Sequence, residues 1–289
     1  MTITKRLGWT TWALAPIVLL SYHFGAGQRL AAEQRAERLL EAAALLEAHA
    51  DEAQGLAHNC QLGSIEARRA LRAEETPTTI DLAKAAREEE VRAYRVAAAA
   101  WQTVADKLGE AEDLLTSRGS DKAEAVRLAR GSATIRAGRI SEGVANLESM
   151  LGALDEQSGA DAALARRLRE EIATGYYYGA RLMRISGSPD AEWRAVSGVA
   201  RQNFRYLAEH ARATGTTEAD DLQKNLELIL DLEQAPPEEL LAKPLPRNSP
   251  GGNCDCSGLA QKAGKGKRPS GTKQDARGAG GVGDIPPGW

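Results

Sequence analysis

The chain from Leu128 to Leu154 reads LARGSATIRAGRISEGVANLESMLGAL. Upstream, Asp121 and Glu124 supply the acidic start of a helix. The helix runs through Val126, Leu128 and Ile135 and stops near Gly138, where glycine ends a helical pattern. No part of this stretch alternates with the period of two that a half-buried strand needs.

The same signals recur on both sides. Leu39, Ala43, Leu46 and Ala50 follow spacings of four, three and four, which puts them on one helix face. Thr78 with Asp81 three residues on forms a capping box ahead of a long run, Leu82 to Leu108, rich in helix formers. Ser188-Pro189 gives a cap followed by proline at the first helical position. Thr217 and Asp220 open a last helix that reaches Leu232, and Pro236-Pro237 end the pattern. The chain is 43% hydrophobic but only 4% aromatic, with two Phe, so alanine and leucine supply the apolar surface. That composition favours closely packed helices over a sandwich of strands. The expected fold class is all-α, built of stacked antiparallel helical hairpins.

Leu128–Leu154 also resembles a tetratricopeptide repeat. Gly131 stands where that family packs its two helices closely, Gly138 ends the first helix, and Arg139-Ile140-Ser141-Glu142 fill the turn. Gly143 is the second small residue, twelve positions after Gly131, and Leu147 takes the apolar position four further on. Departures are Arg127 and Thr134 in place of aromatics, Arg130 in place of leucine and Met150 in place of alanine. Leu62-Gly63 echoes the family's leucine-glycine pair, and Gly175 followed by Tyr178 keeps its glycine-tyrosine spacing. The resemblance implies a right-handed superhelix over residues 30–243, with a concave surface that binds protein segments. An irregular helical bundle would meet the same spacing by packing demand.

Ahead of this body, Lys5 and Arg6 precede Leu7–Gly27, a run without Asp, Glu, Lys or Arg. As a helix it is about 31 Å long, the thickness of a bilayer's hydrocarbon core. Trp9, Trp12 and Tyr22 lie toward its ends, where amphipathic rings prefer the headgroup level. Residues 1–29 are therefore expected to be a signal-anchor that retains a single-pass protein in the membrane through residues 7–27. A cleavable signal peptide is the rival reading, with Gly25-Ala26-Gly27 at the cut. A short basic N-terminus stays cytoplasmic, which places the bulk of the chain in a periplasm or equivalent space.

The formal charge of −3 is uneven. Residues 28–243 carry −9 and the tail, residues 244–289, carries +4. An acidic body argues against nucleic acid as partner. The tail holds 11 Gly and 6 Pro in 46 residues, a composition expected to be disordered, and its basic charge suits acidic lipid, nucleic acid or the protein's own body.

The sequence assigns no reaction. Gly278, Gly280 and Gly283 spell Gly-x-Gly-x-x-Gly without the strand and helix that a dinucleotide site requires. Gly264-Lys265 lacks the rest of a phosphate loop. His58 and Cys60, two apart, point to different faces of a helix. Cys254-Asp255-Cys256 is the one unusual chemical group, suited to a soft metal or a strained disulfide, yet two thiolates do not complete a tetrahedral site. No catalytic residue, cofactor or metal site is assigned. The candidate partner-binding aromatics are Tyr176, Tyr177, Trp193 and Trp289, the last in a proline-stiffened terminus. The expected function is a non-enzymatic scaffold mediating protein–protein interactions with other envelope proteins, with no small-molecule substrate. The alternative is a metal- or redox-handling protein that uses Cys254 and Cys256.

Overall fold

Small residues recur every seventh position through the first third of the chain, at Ala36, Ala43, Ala50, Ala57 and Ser64. In the computed structural model this stretch is a single helix, α1 (Gly27–Ala73), and all five residues are buried. The structure describes residues 27–117, 120, 122–157, 161–215, 219–236 and 240, with isolated positions 14, 16, 20 and 22. Residue spacing of seven keeps one seam of a helix facing its partner, and alanine in that seam lets two backbones approach closely. The partner is α2 (Pro77–Thr116). Its buried residues form two such series, Ala83–Glu90–Ala97–Val104–Ala111 and Tyr94–Trp101–Leu108–Leu115. Only Glu74–Thr76 separate the helices, so they run antiparallel, and the Tyr94 hydroxyl donates to Gln61 Oε1 across the seam at 3.0 Å.

The start of α2 corrects one expectation. The capping box is Thr76 with Thr79, two residues earlier than the Thr78–Asp81 pair. Thr79 N donates to Thr76 Oγ1 at 3.2 Å, and Thr76 N donates to Thr79 Oγ1 at 2.9 Å. Pro77 explains the shift: lacking an N–H, it belongs at the first helical position, which makes the residue before it the cap.

Five further helices follow: α3 (Lys122–Arg136), α4 (Ile140–Asp155), α5 (Ala162–Ile185), α6 (Asp190–Thr214) and α7 (Ala219–Gln234). Among the described residues there is no strand, and the protein is all-α. Gly138 stops α3 as its composition predicts. It adopts φ 88°, and the next amide, Arg139 N, donates to Thr134 O at 3.1 Å. Gly187 does the same after α5 at φ 80°, with Ser188 N donating to Met183 O at 3.0 Å. Ser188 is thus engaged in closing α5. The expected cap for α6 moves to Pro189, whose carbonyl accepts from Glu192 N at 3.0 Å. Asp220 lies in the first turn of α7, whereas Asp121 and Thr217 lie outside the described residues.

Each helix packs chiefly on its neighbours in sequence, and α5 also touches α3. One apolar core joins α3 to α7 and extends to Leu240. A second lies between α1, α2 and α3, and a small third sits around Ala57 and Tyr94. Among the described residues no helix is long and apolar enough to cross a membrane. The expected anchor, Leu7–Gly27, lies outside the described residues but for Leu14, Pro16, Leu20, Tyr22 and Gly27. The tail from Pro244, with Cys254, Cys256 and Trp289, lies wholly outside them.

Candidate functional site

Three glycines bring α3, α4 and α5 together. A β-carbon on Gly131 would lie 2.5 Å from Leu147 Cδ2, and one on Gly143 would lie 2.6 Å from Ile135 Cγ1 and 2.9 Å from the Gly131 carbonyl oxygen. On α5, a β-carbon at Gly175 would meet Val144 Cγ2 at 2.5 Å and Ile135 Cδ1 at 3.1 Å. Real β-carbons do not approach other atoms this closely, so only glycine permits these contacts. The third helix therefore rests on both members of the preceding pair. Leu62-Gly63, by contrast, makes no such junction. Gly63 lies within the uninterrupted α1, with open space where its β-carbon would be.

Of the aromatic residues singled out from sequence, Tyr176, Tyr177 and Trp193 are interior residues, and Trp289 lies outside the described residues. Tyr176 is 3% exposed and Trp193 2%, and Tyr177 and Tyr178 are buried with them. Consecutive helix positions cannot share one face, yet every residue from Gly175 to Met183 is buried. The reason is that this part of α5 has α4, α6 and α3 around it, and helical turns enclosed on all sides have no solvent face. The signal in the sequence was the company these tyrosines keep, with Gly175, Gly179 and Ala180 close by. The Tyr176 hydroxyl donates to Glu148 Oε1 at 2.6 Å, and burial together with that carboxylate pushes its ionisation well above the usual phenol range.

Trp193 lies between two guanidinium groups, Arg184 at 4.5 Å and Arg194 at 4.4 Å from the ring centre. Its Nε1 donates to Asp190 Oδ1 at 3.1 Å. Arg184 donates onward to the carbonyls of Leu232 and Ala235 at the end of α7, where orphan carbonyls need donors. Burial, with Arg194 next to it, lowers the Arg184 pKa from its ordinary value. The arrangement ties α5, α6 and α7 at one point.

Sequence reading missed a polar layer in the α1–α2 seam. Glu90, 4% exposed, pairs through Oε1 with Arg87 Nη1 at 2.8 Å, while its Oε2 and Ser64 Oγ are buried without a hydrogen bond. Tyr94 stands one turn away, its ionisation raised by burial and by Glu90. Cys60 is a free, half-buried thiol, pushed up from its ordinary value by burial and then by Glu89 and Glu90. A depression of about 480 Å³ lies against α1, lined by Glu52, Gly55, Leu56, His58 and Asn59. Among the described residues, no group of three or more His, Cys, Asp or Glu side chains is placed to hold a metal ion.

What these sites do chemically is hold helices against one another. They define an all-helical protein whose most constrained contacts are packing contacts. No protein-family model, curated protein or solved structure matches the chain.

Proposed function

We propose that this chain is a membrane-anchored, non-enzymatic helical scaffold that holds other envelope proteins at the membrane, with its helical body on the extracytoplasmic side. The observation that carries the reading is the seating of Gly175 on Val144 and Ile135. A helix laid on both members of the preceding hairpin is how stacked helical repeats extend an array, and such arrays are interaction surfaces. The α3–α4 pair has helices of 15 and 16 residues joined by a three-residue turn, which suits the roughly 34-residue period of tetratricopeptide repeats.

Two departures from that family's pattern have a local reason. Arg130 Nη1 lies 3.0 Å and Arg127 Nε 3.8 Å from the carboxylate of Glu112 on α2. Positions that would carry apolar side chains in an inner repeat here meet a charged neighbour. The flanking pairs are longer, 47 and 40 residues in α1 and α2, and 24 and 25 in α5 and α6. The reading is thus one repeat-like unit between a coiled-coil hairpin and a longer hairpin.

Leu7–Gly27 supports the membrane attachment by its length and lack of charge. The test is fractionation of the native protein. It should stay with membranes after an alkaline carbonate wash and bring a stoichiometric partner through detergent extraction. A soluble protein beginning near Gln28, purified alone, would overturn the proposal.

A further inference from the structure

The face of α1 turned away from α2 carries Leu45, Glu52, Leu56, Asn59 and Leu62, again at spacings of three, four and seven. Leu45 is 76% exposed and Leu56 59%, unusual values for leucines set one to three turns apart on a helix packed along its other side. Between Leu39 and Ala67 the chain has no Lys or Arg. Glu41, Asp51 and Glu52 are exposed there and make no ion pair among the described residues. On the acidic helix α7, by contrast, Asp221 pairs with Lys224 and Glu233 with Arg201. The α1 face is therefore apolar, acidic and without a cation of its own.

We propose that the basic stretch Lys262–Lys273 of the same chain docks on this face. It holds Lys262, Lys265, Lys267, Arg268 and Lys273 with no acidic residue, and Leu259 lies just before it. A second copy of α1 would bring the same carboxylates against themselves, which disfavours pairing between copies. Leu240, buried in the core of α3–α7, fixes where the tail departs. Residues 241–261 span up to about 70 Å when extended, comparable to the length of α1. Contact through exposed charges is screened by salt, which makes the docking reversible and leaves the face open to a more strongly basic partner. The proposal stands independently of the scaffold reading, because it concerns one chain alone.

Carbodiimide cross-linking of the full-length protein in detergent at low salt tests it, using an equal mixture of isotopically light and heavy chains. The expected products join Lys262, Lys265, Lys267 or Lys273 to Glu41, Asp51 or Glu52 within single chains, and they are lost at high salt. Glu41→Lys, Asp51→Lys and Glu52→Lys together should abolish them. Adding Lys262→Glu, Lys265→Glu and Lys267→Glu should restore cross-links between the same two segments, while circular dichroism confirms unchanged helicity. Cross-links only between light and heavy chains would assign the face to a second copy. Tail cross-links spread over other helices, or none, would also overturn the proposal.

Discussion

Gly143 packs so tightly on Ile135 that any β-carbon on it would sit 2.6 Å from Ile135 Cγ1. The next obstacles are backbone atoms, Gly131 O at 2.9 Å and Ile135 N at 3.0 Å, which cannot swing aside as a side chain can. Gly143→Leu should therefore force α3 and α4 apart and cost on the order of 1–3 kcal/mol by overpacking. Thermal unfolding of the variant in detergent checks this. An unchanged melting temperature would mean the junction is not as described.

Glycine at Gly63 has the opposite character. It lies mid-helix in α1 with nothing within 4 Å of an added β-carbon. Gly63→Ala should raise stability by about 0.5–1 kcal/mol, because alanine restricts the unfolded chain and fits a helix without strain. Measuring both variants side by side separates close packing from a general intolerance of glycine replacement.

The contrast between these glycines also shows what the sequence makes legible. Gly138 announces itself, since a glycine after an apolar-periodic run is where a left-handed residue closes a helix. Gly131 and Gly143 are legible because their separation matches one helix, one turn and the start of another. Gly63 misleads for want of a local signal: its neighbours continue the seven-residue alanine series, and that longer period overrides the leucine-glycine pair. Three consecutive helix positions require at least one core-facing tyrosine, but the burial of all three was not legible. Their burial depends on α3, α4 and α6 closing around α5, which is tertiary information. Glu90 was hidden for a different reason, standing within a run of three glutamates that reads as a solvated face.

Trp193 is the hub between α5, α6 and α7, so Trp193→Ala should be among the costliest single changes in the molecule. A loss of about 3–5 kcal/mol is expected for an aromatic side chain removed from a filled core. Arg184 would then lose its ring contact and hold the carbonyls of Leu232 and Ala235 less firmly. Hydrogen exchange should report earlier opening of α7 in this variant, with the α1–α2 hairpin unaffected.

Cys60 offers a pH readout of the hairpin. Burial and the carboxylates of Glu89 and Glu90 raise its pKa above the ordinary thiol value, so the folded thiol keeps its proton to higher pH than an unfolded one. Alkylation proceeds through the thiolate. Its rate at Cys60, followed by peptide mass, should have a higher midpoint in the native protein than in denaturant. A native midpoint at or below the denatured one would remove these groups from around the thiol.

In the proposed function the helical body, and not the anchor alone, holds partner proteins at a membrane. The most direct test is quantitative affinity purification from native membranes, comparing the full chain with residues 1–29 fused to an unrelated soluble domain. One or a few proteins should be recovered in stoichiometric amount with the full chain, absent from the fusion and reduced with Gly143→Leu. Recovery of the same proteins with the anchor fusion, or of none with the full chain, would contradict the proposed function.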